Sequence, residues 1–568
     1  LDAEDALRRL GDVGLADSAP DGSLSVNRLV GRFVQGLGQD GAAQAAAEQA
    51  MADIAAELND KAPAGAMVPF GPHLRALAAR ALERRDSAAG ALGHELANHL
   101  RITGDLASAR QLYEKALAIR EQALGPDHVD TLETCNRLAS ILSLQGDQPG
   151  ARALLERIVS GAKKIFGPEH REVAVALGNL AGVVQMQGDN AAARVLYEQA
   201  LRINEKSLPP DAPQIITTQY NLSWLIALDG DLVTARALVE RALAMWQASQ
   251  GADHQNTLAA RRRLGTILLM QRDSAAAQAA LEPLLADCAR VLGPEHPQTA
   301  EAIHDLALAL HLGGDLAAAR AHFEQSLAIE ERAFGPESPL TLKTLRNLGV
   351  LLNEQGDGAA AQPLLERALA AQERQLEPGH DTVSDLCEQL ATALSLQSQF
   401  AAAQPLYERA LATNERALGI DHDRTNAVRI ALAAILDAQG QFAAARELYQ
   451  HVLAYAEGRF GPEQSETLAI LAELVQTLLN MGDWAAARPL AERSLAANER
   501  ALGPDDFQTI ESLRMLAVAL AETGDPPAAL PLLERALAAS ARTLGQDHPQ
   551  TRLLSGGLAE MKQRAADA

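Results

Sequence analysis

Leu138-Ala-Ser-Ile-Leu-Ser-Leu-Gln-Gly146-Asp147-Gln-Pro-Gly-Ala151 contains the unit from which most of this chain is built. Leu138, Ala139 and Leu142 fall on one helical face before the Gly-Asp step, and Ala151, Leu155 and Ile158 fall on one face after it. Glycine suits the left-handed residue that ends a first helix. Aspartate can accept a hydrogen bond from the free N–H groups that open a second. The stretch predicts a helical hairpin.

The step or a close variant of it stands eleven times at intervals of 42 residues: at Gly104-Asp105, Gly146-Asp147, Gly188-Asp189, Gly230-Asp231, Arg272-Asp273, Gly314-Asp315, Gly356-Asp357, Ser398-Gln399, Gly440-Gln441, Gly482-Asp483 and Gly524-Asp525. A leucine column from Leu96 to Leu558 and an alanine column from Ala109 to Ala529 run in phase with it. A fixed period of this length is the mark of a solenoid. Each repeat of a solenoid meets mainly its neighbours, which yields a long surface rather than a central catalytic cavity. Binding is therefore the expected function. The alanine after each turn keeps the second helix slim, and a larger side chain there should cost roughly 1 to 3 kcal/mol through overpacking.

Leucine, a small residue, alanine thirteen positions after the leucine, and an aromatic or leucine four further on together resemble the tetratricopeptide repeat. Tyr113, Tyr197, Phe323, Tyr407 and Tyr449 occupy the aromatic column. The usual unit has 34 residues, so eight are added, and they are expected between the second helix and the next first helix. There the chain reads Leu124-Gly-Pro-Asp-His128, Phe166-Gly-Pro-Glu-His170 and Leu292-Gly-Pro-Glu-His296. This longer form resembles the repeats of kinesin light chains. The resemblance covers about residues 87 to 564. It implies an all-α, right-handed superhelical solenoid of eleven hairpins over 87–545 and a capping helix over 546–568, with Lys562 breaking the cap's apolar column.

Residues 1–37 differ from the repeats. Leu7-Arg-Arg-Leu10, Leu15, Asp21-Gly22, Leu24-Ser-Val-Asn-Arg-Leu-Val30 and Val34-Gln35 predict a helix, a short β-hairpin and another helix. That order resembles the end of the winged helix of bacterial NB-ARC (STAND) signalling ATPases, which directly precedes tetratricopeptide repeats in those proteins. They usually show histidine where Asn27 stands, and Pro72-His73-Leu74 resembles an element of their linker helices. The resemblance, together with an opening residue Leu1, implies the C-terminal part of a longer protein. Residues 38–86 are expected to be a helical connector, with breakers at Lys61-Ala-Pro-Ala-Gly65.

Composition narrows the function further. No stretch approaches 18 consecutive apolar residues. A formal net charge of -23 disfavours nonspecific attraction to nucleic acid or to an anionic membrane. Three cysteines cannot form a disulfide framework, and Cys135 and Cys387 share an apolar column, so buried core thiols and a cytoplasmic setting are expected. Seven histidines, His128, His170, His254, His296, His380, His422 and His548, share one repeat position. That spreads them along the array as loop or cap residues. Gly36-Leu-Gly38-Gln-Asp-Gly41 follows a helix and lacks a βαβ frame, so it predicts a linker. No P-loop, HExxH or CxxC is present. Neither catalytic residues nor a cofactor or metal is expected.

In tetratricopeptide arrays the first helices line the concave groove, and the resemblance places groove positions five and two before, and two and five after, the leucine column. Across the middle units these include Tyr220, Trp224, Arg262, His304, Lys343 and Arg346. The column just before the leucine supplies Asn179, Asn221, Arg263 and Asn347. In kinesin light chains an asparagine in that column binds the main chain of an extended peptide. Rings beside cations could hold an acidic or aromatic-bearing segment. A solvated polar face accounts for the same residues without a ligand. Two roles follow from the resemblances: the protein- or peptide-binding sensor of a STAND ATPase, whose relatives in several groups act in phage defence, or a stand-alone adaptor of kinesin-light-chain type. The isolated chain is expected to be a monomer and not an enzyme.

Overall fold

The computed structural model describes residues 16–18, 24–26, 48–56, 59, 71–376 and 379–567. The chain divides into two compact units, Leu1–Gln271 and Arg272–Ala568. The first holds a two-stranded antiparallel sheet, a helical stretch at 48–56, the helix Gly71–Arg84, four helical hairpins and the helix Gln255–Met270. Its hairpins run from Ser87–Ile102 with Leu106–Ala123 to Pro213–Leu228 with Leu232–Gln250. The second unit opens on Ser274–Val291, continues through six hairpins from Pro297–Leu312 with Leu316–Phe334 to Phe507–Glu522 with Pro526–Thr543, and ends on Pro549–Asp567.

Each turn has the chemistry its residues dictate. Gly104 takes φ +87°, and the Asp105 carboxylate accepts from the Ser108 N–H at 3.1 Å. The same pair recurs at Asp147 with Gly150 N–H (3.0 Å) and at Asp315 with Ala318 N–H (3.1 Å). Arg272 and Ser398 hold the left-handed conformation without being glycine, at φ 59° and 58°. Gln399 and Gln441 make no side-chain cap bond. All seven repeated histidines cap the next first helix: Nδ1 accepts the backbone N–H two residues on, as in His170 with Glu172 at 3.2 Å and His422 with Arg424 at 3.1 Å.

The added length is not confined to the loop between repeats. The first repeat has helices of 16 and 18 residues, joined by Thr103-Gly104-Asp105 and followed by only Leu124–His128. Much of the extension therefore continues the second helix, because its last turns remain useful: Ile119 and Arg120 are still buried there. The alanine column is fully buried from Ala109 to Ala529. All three cysteines are buried, and desolvation pushes the Cys135 thiol up to about 11.

The hairpin expected near the N-terminus forms, with Ala16 opposite Val26 and Ser18 opposite Leu24. The helices expected on either side of it, Asn27, and the Gly36 to Gly41 stretch lie outside the described residues. The connector proves to be more than a tether. Ala52, Ala55, Leu74, Ala78 and Ala81 are buried in the same core as Leu92 and Leu96 of the first repeat. Asn59 donates to the Glu95 carboxylate at 2.8 Å, and Arg84 pairs with the buried Glu48. At the other end, Pro549–Asp567 buries Leu554, Leu558 and Met561, while Lys562 reaches Glu534 at 3.3 Å.

Candidate functional site

The residues expected to form the site, spread over 217–353, fall in both units and have different environments. In the first unit Tyr220 is buried against its own hairpin. Its ring meets Trp246 edge-on, with centroids 4.8 Å apart, and the Arg263 guanidinium lies 3.8 Å above it. Arg263 also donates to the Tyr220 carbonyl at 2.7 Å, and burial lowers its pKa while raising that of the phenol. Neither group is poised for a ligand. Asn221, Trp224 and Arg262 are half-buried, and Asn179 is exposed. In the second unit His304 is buried edge-on against Phe323 at 5.4 Å, with Nδ1 2.8 Å from the Thr344 hydroxyl. Lys343 is exposed, Arg346 pairs with Asp385 at 3.0 Å, and the Asn347 amide lies 3.3 Å from His304 Nε2.

The reading of Tyr220 and His304 as groove residues is therefore corrected. A ring two positions before the leucine turns inward when an aromatic on its own second helix meets it. His94 against Tyr113, centroids 5.3 Å apart, repeats the arrangement of His304 against Phe323. The recurrence of that pair was the available signal in the sequence.

A better-formed groove lies wholly within the first unit, along the first helices Val129–Leu144 and Arg171–Met186 of the second and third repeats. Two clefts, about 600 and 490 Å³, share Asn136 and Asn179. The larger is floored by Leu132, Ile158, Ala162 and Ala176 and rimmed by Val129, Phe166 and Val175. Val129 and Val175 are both 50% exposed. The smaller continues past Leu144 and Met186, 69% and 64% exposed, to Arg101, Arg137, Tyr197 and Asn221.

The Asn179 amide donates to Asn136 Oδ1 at 3.2 Å, so the two asparagines bridge successive repeats where the clefts meet. Each retains further donor and acceptor capacity. Arg101 is steadied by Asn98 at 2.9 Å, and Arg137 lies 3.9 Å from Glu133 with its Nε buried and without a hydrogen bond. Apolar recesses beside amides and guanidinium groups suit an extended polypeptide: they cover side chains and pair with main-chain groups. Asn179 and Asn221 were named from sequence. Asn136 and Val175 stand in the groove columns two and five before the leucine but were not named, because those columns were read across the middle units; Val129 and Phe166 lie outside those columns.

Seven spans match the tetratricopeptide repeat family, at residues 87–164, 149–206, 214–286, 275–331, 306–374, 384–458 and 466–542, and together take in more than half of the chain. The chain belongs to the tetratricopeptide repeat family. Among solved structures it is similar to the nearly identical TPR-like repeats of a kinesin-light-chain-type protein of Podosopora anserina, at 26% identity over 36% of this chain and 98% of that one, with a TM-score of 0.33. It is also similar to BtubC (BKLC) from P. vanneervenii (21% identity, 41% and 94% of the two chains, TM-score 0.34) and to Pseudomonas aeruginosa pilF (19%, 45% and 95%, TM-score 0.33). No curated protein matches the chain.

Among the described residues no cluster of three or more His, Cys, Asp or Glu could hold a metal ion, and no helix is long and apolar enough to cross a membrane.

Proposed function

We propose that this tetratricopeptide array is a protein-binding scaffold whose groove in the first to fourth repeats takes an extended segment of a partner. The observation that carries the reading is the pair of clefts joined at Asn136 and Asn179. Side chains of the segment occupy the clefts, the asparagine amides pair with its main chain, and Arg101 and Arg137 favour acidic residues near the smaller cleft. A displayed random-peptide library tests this directly. Enriched peptides should bind the full chain, and Asn136→Ala with Asn179→Ala should weaken them at least about tenfold, equivalent to about 1.4 kcal/mol, with unchanged helicity. A library that yields no binder, or binders indifferent to both substitutions, overturns the groove.

A finer role rests on the resemblance of residues 1–37 to the winged helix of STAND ATPases, supported by the β-hairpin at Ala16–Ser18 and Leu24–Val26. In that role the array is the sensor, and ligand capture releases an upstream ATPase. The reading frame encoded before Leu1 decides it. A glycine-rich phosphate loop with its lysine there supports the sensor, whereas a start codon adjoining Leu1 leaves an adaptor.

A further inference from the structure

The second helices keep two regular columns that are both broken beside one cleft. A glutamate in the last turn of a second helix pairs with an arginine 36 residues on, as Glu121 does with Arg157, Glu331 with Arg367 and Glu373 with Arg409. Seven repeats carry that glutamate, from Glu121 to Glu499, but the second repeat carries Lys163 there, and Gln199 stands where its arginine would be. The rung has lost a carboxylate and gained a cation. The other column is alanine or serine in every other repeat, from Ala118 to Ala538, and is arginine only at Arg202.

Both departures meet in space. Lys163, Gln199, Arg202 and Lys206 line a cleft of about 390 Å³ between the second helices Gln148–Phe166 and Asn190–Ser207, bounded by Pro168 and Glu169 of the loop and floored by the buried Leu177 and Ile203. It shares no lining residue with the two groove clefts. Lys206 pairs with Glu169, whereas the Lys163 and Arg202 side chains have neither a hydrogen bond nor an ion pair among the described residues. Three cations against the one carboxylate leave two positive charges uncompensated, in a chain whose net charge is -23. The dipole of its own helix favours a lysine in the last turn, but that effect fades within the turn and does not account for Arg202, which stands before it.

We infer that this cleft is an anion site for a phosphate monoester, carried either by a small molecule or by a side chain of a partner protein. The inference is independent of the groove reading. A monoester bears about -1.5 to -2 charges at neutral pH, which matches the two uncompensated cations, whereas a carboxylate would answer only one. Arg202 offers the planar fork that phosphate oxygens engage in pairs, and Lys163 brings a point charge from the preceding second helix. Leu177 and Ile203 give the organic group of the ester an apolar surface to cover.

The probes are phenyl phosphate, benzoate and a short glycine-rich peptide with one phosphoserine, each titrated into the full chain at neutral pH and at constant ionic strength set with sodium chloride. The methyl groups of Leu177 and Ile203, labelled for NMR, report on the cleft. Phenyl phosphate should shift both saturably at millimolar concentration, with benzoate at least fivefold weaker. A phosphopeptide that binds at least as tightly as phenyl phosphate assigns the site to a protein partner, and one that binds more weakly assigns it to a small phosphorylated molecule. Lys163→Glu and Arg202→Ala install residues that the rest of the array accepts at these positions, so the fold is kept. Each should weaken phenyl phosphate at least fivefold, and the two together should abolish it, while Lys343→Ala, a cation outside the cleft, changes nothing. Benzoate binding equal to phenyl phosphate, no saturable shift at millimolar concentration, or binding that survives the double substitution overturns the inference.

Discussion

Single residues set the turns, and two of them work against their own backbone. Ser398 holds φ 58° where nine other repeats use glycine, and Gln399 leaves its helix without a side-chain cap. The left-handed conformation costs a non-glycine residue roughly 1 to 2 kcal/mol, and a missing cap about 1 kcal/mol. Part of the first gain is offset because glycine frees the unfolded chain. Ser398→Gly with Gln399→Asp should therefore stabilise by about 1 to 2 kcal/mol, seen as a higher urea midpoint. An unchanged midpoint would mean the turn is already relaxed. His94 is a titrating counterpart. Burial, then Arg120 and Arg137, hold its imidazole down to about 3, with Nδ1 3.2 Å from the Thr134 hydroxyl. The unfolded chain takes that proton near the ordinary histidine value, about 6.5. Stability should consequently fall as pH drops from about 6.5 to 3, by at most about 1.4 kcal/mol per unit. His94→Gln should lose this component, so the gap between the two proteins narrows on acidification; a constant gap from pH 7 to 4 excludes it. The caps were legible in the sequence because their geometry is settled within four residues. The burial of Tyr220 and His304 was not, since it depends on Trp246 and Phe323, rings on another helix.

At the scale of elements, periodicity found what recurs and was blind to what is lacking. The hairpins, their order and the asparagine column could be read directly. The main cleft could not, because it arises where Ala162 and Ala176 are both small and no motif announces a gap. The connector's helices were expected, but their packing on the first repeat was missed for the converse reason. The connector has no Gly-Asp step, yet its helices bury Ala52, Ala55, Leu74 and Ala78 with the first repeat. A solenoid needs such ends, because an uncapped repeat shows its neighbour's interface to water. A chain beginning at Ser87 leaves Leu92 and Leu96 without that cover, at about 1.5 to 3 kcal/mol for each fully exposed side chain. Hydrogen exchange should show faster opening through Ser87–Ile102 and little change beyond Phe507. Undiminished protection in Ser87–Ile102 would reduce the connector to a tether.

For the whole molecule, two electrostatic effects oppose each other, and their ranges decide which one salt reveals. Successive second helices are laced by pairs 36 residues apart: Arg157 with Glu121, Arg367 with Glu331, Arg409 with Glu373, Arg493 with Glu457 and Arg535 with Glu499. These are partly exposed contact pairs, each worth about 0 to 1 kcal/mol. Against them stands a net charge of -23, whose mutual repulsion favours the expanded chain. Screening acts on separations comparable to the Debye length, about 10 Å at 0.1 M. It therefore weakens repulsion between distant carboxylates more than attraction between touching groups. Raising sodium chloride from about 0.01 M to 0.2 M, across which the screening length shortens from about 30 Å to below 10 Å, should raise the melting temperature at neutral pH by a few degrees. Chloride is the right anion here, because sulfate would add its own strengthening of apolar burial. Arg367→Met and Arg493→Met together should lower the melting temperature at both salt concentrations and leave the upward trend intact. If added chloride lowers the melting temperature of the unmodified chain, the ladder of contact pairs outweighs the long-range repulsion.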